Sequence, residues 1–228
     1  MVRALFLYGV NCTEKVWDKL LPLLSNWKCD VLSYPHEVTK NAISLEDFAN
    51  WVITQIRGKE YDVIVGHSLG GLIALKLAAE SEISARTKII CLDSNLKPAG
   101  SFFRNLMTLE HMEEFGEEIG EMMANERGYY SELLFKSLQE DFDYTNLLKE
   151  ASNSVELLLG DRNHADAMNY ICELYLSEET MKKIRITFVP NCCHMIMIES
   201  PKELAEILNN IMDDVSMNIK DREEKRAY

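Results

Sequence analysis

A serine stands where a predicted strand turns directly into a predicted helix. The segment reads YDVIV, then GHSLGG at residues 66–71, then LIALKLAAE. A serine in a tight strand-to-helix turn presents its hydroxyl for attack on a carbonyl carbon, and flanking glycines let the turn close without a side-chain clash. The pattern therefore makes Ser68 the candidate nucleophile, with the Leu69 amide at the start of the helix able to donate to an oxyanion.

A histidine near the other end of the chain can supply the base. The strand-like run IRITFVP leads into Asn-Cys-Cys-His at residues 191–194, and Glu-Ser-Pro at 199–201 opens the last predicted helix. A side chain on such a loop must reach Ser68 across the carboxyl edge of the sheet, where it can accept the hydroxyl proton and later donate it to the leaving group. We take His194 as the candidate general base.

Three motifs in this order resemble the α/β-hydrolase family over nearly the whole chain. Tyr8-Gly9-Val10-Asn11 is similar to the family's His-Gly-X oxyanion loop, with Tyr8 in place of the usual histidine. The turn around Ser68 and the loop around His194 are the other two, and Cys193 stands where the family usually has glycine. The resemblance implies that the Val10 amide is the second oxyanion donor, beside Leu69, and it implies no cofactor.

The third member of a catalytic triad is where the sequence departs from the family pattern. The resemblance places the acid three residues after Gly160, and that position is Asn163. An amide cannot stabilise an imidazolium as a carboxylate does. Asp161 in the same loop is the first choice and Asp93, which ends the run KIICLD, is the alternative, although either could simply cap its own turn. Asp166, or no acid at all, also stays open.

Short β-rich apolar runs alternate with helical patterns, which is typical of helices packed around a parallel sheet. The predicted strands are Arg3–Tyr8, Lys28–Ser33, Tyr61–Val65, Lys88–Leu92, Val155–Leu159 and Arg185–Val189. We expect the α/β class, with a mostly parallel sheet of about six strands flanked by helices, and the resemblance implies the α/β-hydrolase fold with a helical cap insertion.

The alternation stops between residues 97 and 152, where amphipathic segments carry Met and aromatic residues and no strand is predicted. Insertions at the carboxyl edge of a parallel sheet lie over the site, so we interpret 97–152 as a helical cap or lid. The expected division is an α/β-hydrolase core of 1–96 and 153–216, this cap, and a charged C-terminal tail of 217–228.

Composition limits the partners. A formal net charge of -13 would repel phosphate backbones and anionic lipid surfaces, so neither nucleic acid nor a membrane is expected as a partner. The short apolar start lacks a secretory pattern, and six cysteines without framework spacing indicate a reducing compartment, so we expect a cytoplasmic protein. No metal-ligand motif occurs, and no metal is expected.

These features predict a serine hydrolase of carboxylesterase or thioesterase type, which forms an acyl-enzyme from a small-molecule ester or thioester. The apolar insertion favours a small to medium, apolar acyl group. The alternative is a non-hydrolytic relative that keeps the fold and binds a ligand or serves as a scaffold. Asn163 at the usual acid position and Cys193 before the histidine are the reasons to retain that alternative.

Overall fold

Six strands, each parallel to its neighbours, form one sheet in the computed structural model, which describes residues 1–139 and 142–226 and side chains as far as residue 213. The strands are β1 (Val2–Leu7), β2 (Trp27–Val31), β3 (Val63–His67), β4 (Lys88–Leu92), β5 (Val155–Gly160) and β6 (Ile184–Val189). The order across the sheet is β2-β1-β3-β4-β5-β6. Because all pairs are parallel, the loops after β3, β4, β5 and β6 meet at one edge.

Helices cover the sheet and fill the long connection after β4. The α-helices are α1 (His36–Asn41), α2 (Leu45–Ile56), α3 (Leu69–Ala79), α4 (Ser101–Arg104), α5 (Leu109–Arg127), α6 (Glu132–Gln139), α7 (Thr145–Glu150), α8 (Glu178–Met181), α9 (Ile196–Glu199) and α10 (Pro201–Arg226). Short 3-10 helices cover Glu14–Trp17, Leu21–Leu23 and Ala167–Leu174. Within the described part of the chain, none of these helices combines the length and apolarity of a membrane crossing.

The predicted fold class is confirmed, and every predicted strand is present with ends that differ by at most two residues. Every residue of β3 and β4 is buried. Strands covered on both faces read as continuous apolar runs rather than as alternating ones, which is why the sequence located them well.

Two further segments follow β5 and the His194 loop. Residues 167–174 form a 3-10 helix that ends at Tyr175 in the left-handed region (φ 52°). The last helix begins at Pro201, as predicted, and continues to Arg226. The side chains of the predicted tail, 217–228, and the last two residues altogether lie outside the described part.

The connection between β4 and β5 contains α4, α5, α6 and α7, and its described residues, 97–139 and 142–152, include no strand. Helix α5 is mostly exposed and buries His111 and Ile119, while Phe103 of α4 and Leu134 of α6 are almost fully buried. The segment is therefore packed onto the rest of the molecule. That it forms a separate cap stays a prediction.

Helix α3 lies unusually close to the sheet, and glycines make this possible. A Cβ on Gly66 would overlap the backbone of Gly70, and a Cβ on Gly70 would overlap the carbonyl of Leu7 in β1. The neighbouring backbones cannot move aside without separating α3 from the sheet. The glycines around Ser68 thus set the distance between helix and strand as well as the turn itself.

We expect Gly70→Ala to lower the free energy of unfolding by about 3 kcal/mol, because overpacking against backbone is seldom relieved. The matched control is Gly120→Ala in the middle of α5, where a new Cβ meets nothing within 4 Å. That change should raise stability by about 0.5 to 1 kcal/mol, since alanine is the better helix former. Urea unfolding measures the free energy of unfolding of both variants. The same change in both would contradict the close packing of α3 against the sheet.

Candidate functional site

Ser68 occupies a strained turn at the carboxyl end of β3. Its backbone has φ 52° and ψ −116°, a conformation that non-glycine residues adopt only when their surroundings force it. The Ser68 amide donates to the Leu92 carbonyl at 2.9 Å, and the Ser68 carbonyl accepts from the Ser94 hydroxyl at 2.8 Å. Both partners belong to β4 and the residues just after it, so the neighbouring strand holds the turn.

The predicted oxyanion donors, Val10 and Leu69, line the same pocket as Ser68. Leu69 is the first residue of α3, so its amide has no acceptor within the helix. A Cβ on Gly9 would come within 2.9 Å of the Ser68 Cβ, so the loop before Val10 approaches the serine as closely as glycine allows. The backbone of the candidate oxyanion loop is therefore beside Ser68, the candidate nucleophile.

Tyr8, at the position where the family resemblance has histidine, lies in the core. Its hydroxyl accepts from the Tyr34 amide at 2.6 Å, and the two rings lie 4.5 Å apart. Burial raises the pKa of Tyr8 to about 12, so the hydroxyl stays neutral. Tyr8 anchors the start of the oxyanion loop to the segment after β2.

His194 is oriented by a carboxylate, and that carboxylate is Asp93. His194 Nδ1 lies 2.8 Å from Asp93 Oδ2. A carboxylate only accepts hydrogen bonds, so Nδ1 carries the hydrogen and Nε2 keeps a free lone pair. His194 and Ser68 both line the pocket. No hydrogen bond between them is found among the described residues; in unliganded enzymes this contact often tightens only when substrate binds.

Asp93 is itself held by a buried arginine. Its side chain is 2% exposed, and Arg162, equally buried, donates to both of its oxygens at 3.0 and 2.8 Å. Burial opposes ionisation of Asp93, but the Arg162 guanidinium, with further help from His194, holds the pKa of this carboxyl well below its usual range. Asp93 is therefore an anion at neutral pH.

The first-choice acid, Asp161, does not contact His194, and this reverses the order of the two candidates. Asp161 Oδ1 accepts from the Asn163 amide at 2.9 Å, so the carboxylate caps its own turn. The Asn163 side chain donates to Glu110 at 2.7 Å on the surface, and Asp166 is exposed at the start of the following 3-10 helix. The physical reason is the turn, since Arg162 and Asn163 both have positive φ (52° and 59°), and Arg162 is the residue directed inward.

His67, a variable position of the motif that was not among the predicted site residues, contacts the loop that carries His194. Its Nε2 lies 3.0 Å from the His194 carbonyl oxygen, so Nε2 carries the hydrogen and donates it. Burial, followed by the neighbouring His194, lowers the pKa of His67 to about 3, and the ring stays neutral. A histidine ending an otherwise apolar strand was the available signal.

Glu199 explains why Glu-Ser-Pro follows the histidine. Its two carboxylate oxygens accept hydrogen bonds from the amides of Cys193 and Met195, each at 2.7 Å. Glu199 therefore holds the backbone on either side of His194. The Ser200 hydroxyl donates to the carbonyls of Pro190 and Asn191. The motif therefore fixes the loop that carries the base.

Three buried side chains could offer ligands to a metal ion. One atom each of His111, Cys193 and Glu199 lies within 4.8 Å of the others. Two of them already have other partners: His111 Nδ1 lies 2.7 Å from the Thr108 hydroxyl, its Nε2 lies 3.2 Å from the Asn191 carbonyl, and Glu199 accepts the two amides above. The third, Cys193, has its Sγ 3.5 Å from His111 Nδ1. The cluster as it stands is a hydrogen-bonded junction between α5 and the His194 loop.

The pocket in front of Ser68 has a volume of about 530 Å³. Its lining includes Ser68, His194 and the two candidate oxyanion residues. The connection after β4 contributes a further wall, with the apolar residues Phe103, Leu106, Met123, Phe135, Leu138 and Phe142. A larger groove of about 640 Å³ lies elsewhere, lined by Lys15, Lys19 and several glutamates of α5, and it contains none of the candidate catalytic residues.

His67 predicts a stability profile. Because its folded-state pKa of about 3 lies below the value of about 6.5 for an unfolded chain, it contributes stability that is complete above pH 6.5 and lost as the pH falls towards 3. His67→Gln should therefore flatten the fall in unfolding free energy between pH 6.5 and 4.5, by up to about 1.4 kcal/mol per pH unit. Urea titrations at several pH values measure it, with the exposed His164→Gln as the surface control; equal slopes in the two variants would contradict it.

Comparison with known sequences gives a short match. No protein-family model matches the chain. A Haemophilus influenzae protein named as a 2-succinyl-6-hydroxy-2,4-cyclohexadiene-1-carboxylate synthase is 31% identical over 90 residues, which is 36% of this chain and 36% of that protein. The match thus spans about a third of that relative's length.

Comparison with solved structures covers almost the whole chain. A hydrolase from Oleispira antarctica superimposes with a TM-score of 0.73 over 93% of this chain and 91% of its own, at 14% identity. The thioesterase domain from the curacin biosynthetic pathway gives a TM-score of 0.66 over 92% and 91%, at 15% identity. Together with the six-stranded parallel sheet and the turn that carries Ser68 from β3 into α3, these likenesses show that the chain has the α/β-hydrolase fold.

Proposed function

We propose that this protein is a serine hydrolase of carboxylesterase or thioesterase type, which cleaves an ester or thioester of a small to medium apolar acyl group. The observation that carries the proposal is the 2.8 Å contact between His194 Nδ1 and Asp93, at the sheet edge where Ser68 sits in its strained turn. An imidazole held by a buried carboxylate beside a serine on a tight bend is the arrangement that activates a hydroxyl for acyl transfer.

The first step forms an acyl-enzyme. Ser68 Oγ attacks the carbonyl carbon while its proton passes to His194 Nε2, and Asp93 stabilises the resulting imidazolium. The amides of Val10 and Leu69 donate to the oxyanion of the tetrahedral intermediate. When the intermediate collapses, the bond to the leaving oxygen or sulfur breaks and His194 returns its proton to that atom.

The second step releases the acid. Water takes the place of the leaving group, His194 Nε2 removes its proton, and the hydroxide attacks the acyl carbon of the Ser68 ester. The same two amides hold the second oxyanion, and collapse returns the proton to Ser68 Oγ. His194 accepts and returns every proton, Asp93 stabilises the imidazolium without taking a proton, and the proposed cycle needs no cofactor.

The substrate class follows from the pocket. Its volume of about 530 Å³ is in the range of small-molecule sites, and the wall contributed by the connection after β4 is built largely from aromatic and aliphatic side chains. Burial of an acyl chain against that wall gains about 25 cal/mol per Å² of apolar area. The thioesterase among the structural neighbours supports this choice of substrate, with residues 97–152 acting as the cap over the acyl group.

The non-hydrolytic alternative loses its main support. It depended on Asn163 at the usual acid position, and Asp93 supplies a carboxylate to His194 from a different strand. Cys193 in place of glycine is accommodated as well, because its amide donates to Glu199 and its side chain is buried.

A fluorophosphonate probe tests the nucleophile. We expect the wild type to be labelled at Ser68, because such probes react only with an activated serine, and Ser68→Ala to lose both labelling and hydrolysis of short aryl esters. Ser25→Ala, at an exposed serine outside the site, is the control and should keep both labelling and hydrolysis. A folded wild type that is not labelled by the probe and does not cleave aryl esters or thioesters would overturn the proposal.

Paired substitutions test the acid. We expect Asp93→Asn to reduce kcat by on the order of 10³ to 10⁴, as loss of the triad acid does elsewhere, and Asp161→Asn to change kcat by less than about threefold. Both changes remove one negative charge and keep the shape of the side chain. Circular dichroism shows whether each variant is folded, and a larger loss in Asp161→Asn than in Asp93→Asn would overturn the assignment.

A further inference from the structure

We propose that Arg162 is a positioning residue of the catalytic site: it orients the Asp93 carboxylate on His194 and, by balancing its charge, sets how low the pH can fall before His194 is protonated. This role rests on the proposed function, since it concerns the base of that reaction. Nothing in the sequence motif assigns Arg162 a part in catalysis, and its side chain does not reach the pocket lining.

The contact between Arg162 and Asp93 fixes the plane of the carboxylate. Oδ1 accepts from Arg162 Nη1 at 3.0 Å and from the Gly160 amide at 3.4 Å. Oδ2 accepts from Arg162 Nη2 and from His194 Nδ1, each at 2.8 Å. A paired contact with a planar guanidinium leaves the carboxylate little freedom to rotate, so Oδ2 stays directed at the imidazole.

Arg162 is in turn held by its own loop and by the segment after β4. Nη1 donates to the Gly160 carbonyl at 2.7 Å and Nη2 to the Phe103 carbonyl at 3.2 Å. The Arg162 amide donates to the Cys192 carbonyl at 2.8 Å, two residues before His194. The guanidinium carbon lies 5.6 and 5.5 Å from the ring centres of Phe102 and Phe103. The Arg162 side chain is therefore buried within the site and fixed there by several contacts.

Arg162 compensates the buried negative charge of Asp93, and this compensation affects the protonation of His194. With His194 neutral, the positive Arg162 and the negative Asp93 sum to zero. Protonation of His194 leaves one uncompensated positive charge in a place where Arg162 and Asp93 are 2% exposed, which is unfavourable. Without the guanidinium, the same protonation would convert a lone buried anion into a neutral ion pair, which is favourable.

Other titratable groups face the pair but do not replace Arg162. His67 donates to the His194 carbonyl and stays neutral, as shown above. Glu199 grips the loop on either side of His194, and Cys192 packs beside Arg162 with burial raising the pKa of its thiol. Among the described residues around Asp93, Arg162 supplies the permanent positive charge.

A purely structural role would give a different result. If Arg162 only fastened the loop after β5 to Phe103, its replacement would lower stability or kcat and leave the pH profile in place. If it balances the charge of Asp93, its neutral replacement moves the acidic limb of the kcat/KM profile, because that limb reports ionisation of the free enzyme's base.

The experiment compares Arg162→Gln, which keeps donors but removes the charge, with Arg162→Lys, which keeps a charge but loses the paired geometry. Arg185→Gln on β6, where the side chain is 68% exposed, is the surface control. The pH dependence of kcat/KM on a neutral short-chain aryl ester is measured from pH 4.5 to 9. In parallel, the protonation midpoint of the His194 ring is followed by NMR.

We expect Arg162→Gln to move the acidic limb and the NMR midpoint up by at least about one pH unit, the usual size of a close charge effect. Arg162→Lys should lower kcat with both midpoints near those of the wild type, and Arg185→Gln should change neither. Arg162→Met serves as a second neutral variant if Arg162→Gln does not fold. A folded neutral variant with wild-type midpoints overturns the proposal. A wild type without hydrolytic activity would instead overturn the proposed function, and the NMR midpoint would still decide the role of Arg162.

Discussion

Asp93 is an anion with almost no contact with water, and the arrangement around it depends on the compensation of that charge. Arg162 donates to both oxygens and His194 to one, so the carboxylate is satisfied by a cation on one side and by the proposed catalytic base on the other. Removing one partner of such a pair leaves the other charge buried in the low-dielectric interior without compensation. Since Asp93 follows β4, Arg162 follows β5 and His194 follows β6, one interaction joins three neighbouring strands at the edge where chemistry is proposed.

The turn at Ser68 depends on a second constraint, which is space. Glycines at 66 and 70 let α3 start against β1 and β3 without a side chain between them, and hydrogen bonds from β4 hold the strained serine. The residues that hold the proposed nucleophile, Ser68, and the proposed acid, Asp93, therefore belong to the same stretch of chain. Ser94 supports Ser68, and its neighbour Asp93 orients His194, so the position of β4 controls two of the three groups at once.

The proposed acyl pocket is bounded by residues that are distant in the sequence. The oxyanion loop after β1, the turn after β3 and the helices between β4 and β5 each contribute one side. That connection also contacts the His194 loop directly. The His194 amide donates to the carbonyl of Leu106, between α4 and α5, at 3.2 Å, and His111 Nε2 of α5 lies 3.2 Å from the Asn191 carbonyl. A change in how these helices pack would therefore move the His194 loop as well as the lining of the proposed acyl pocket.

The sequence by itself determined the sheet, the Ser68 turn and the His194 loop. Each of these is a local pattern: buried strands read as apolar runs, a tight strand-to-helix turn needs glycines at fixed spacing, and Glu-Ser-Pro follows the histidine to fix its loop. Only the tertiary structure decided which carboxylate meets His194, because Asp93 and Asp161 end adjacent strands and both are plausible by position. The choice depends on the backbone angles of the loop after β5, which direct Arg162 inward to Asp93 while Asp161 caps its own turn. Those angles, and the inward path of Tyr8, result from packing between strands that are distant in the chain, and no local pattern encodes them.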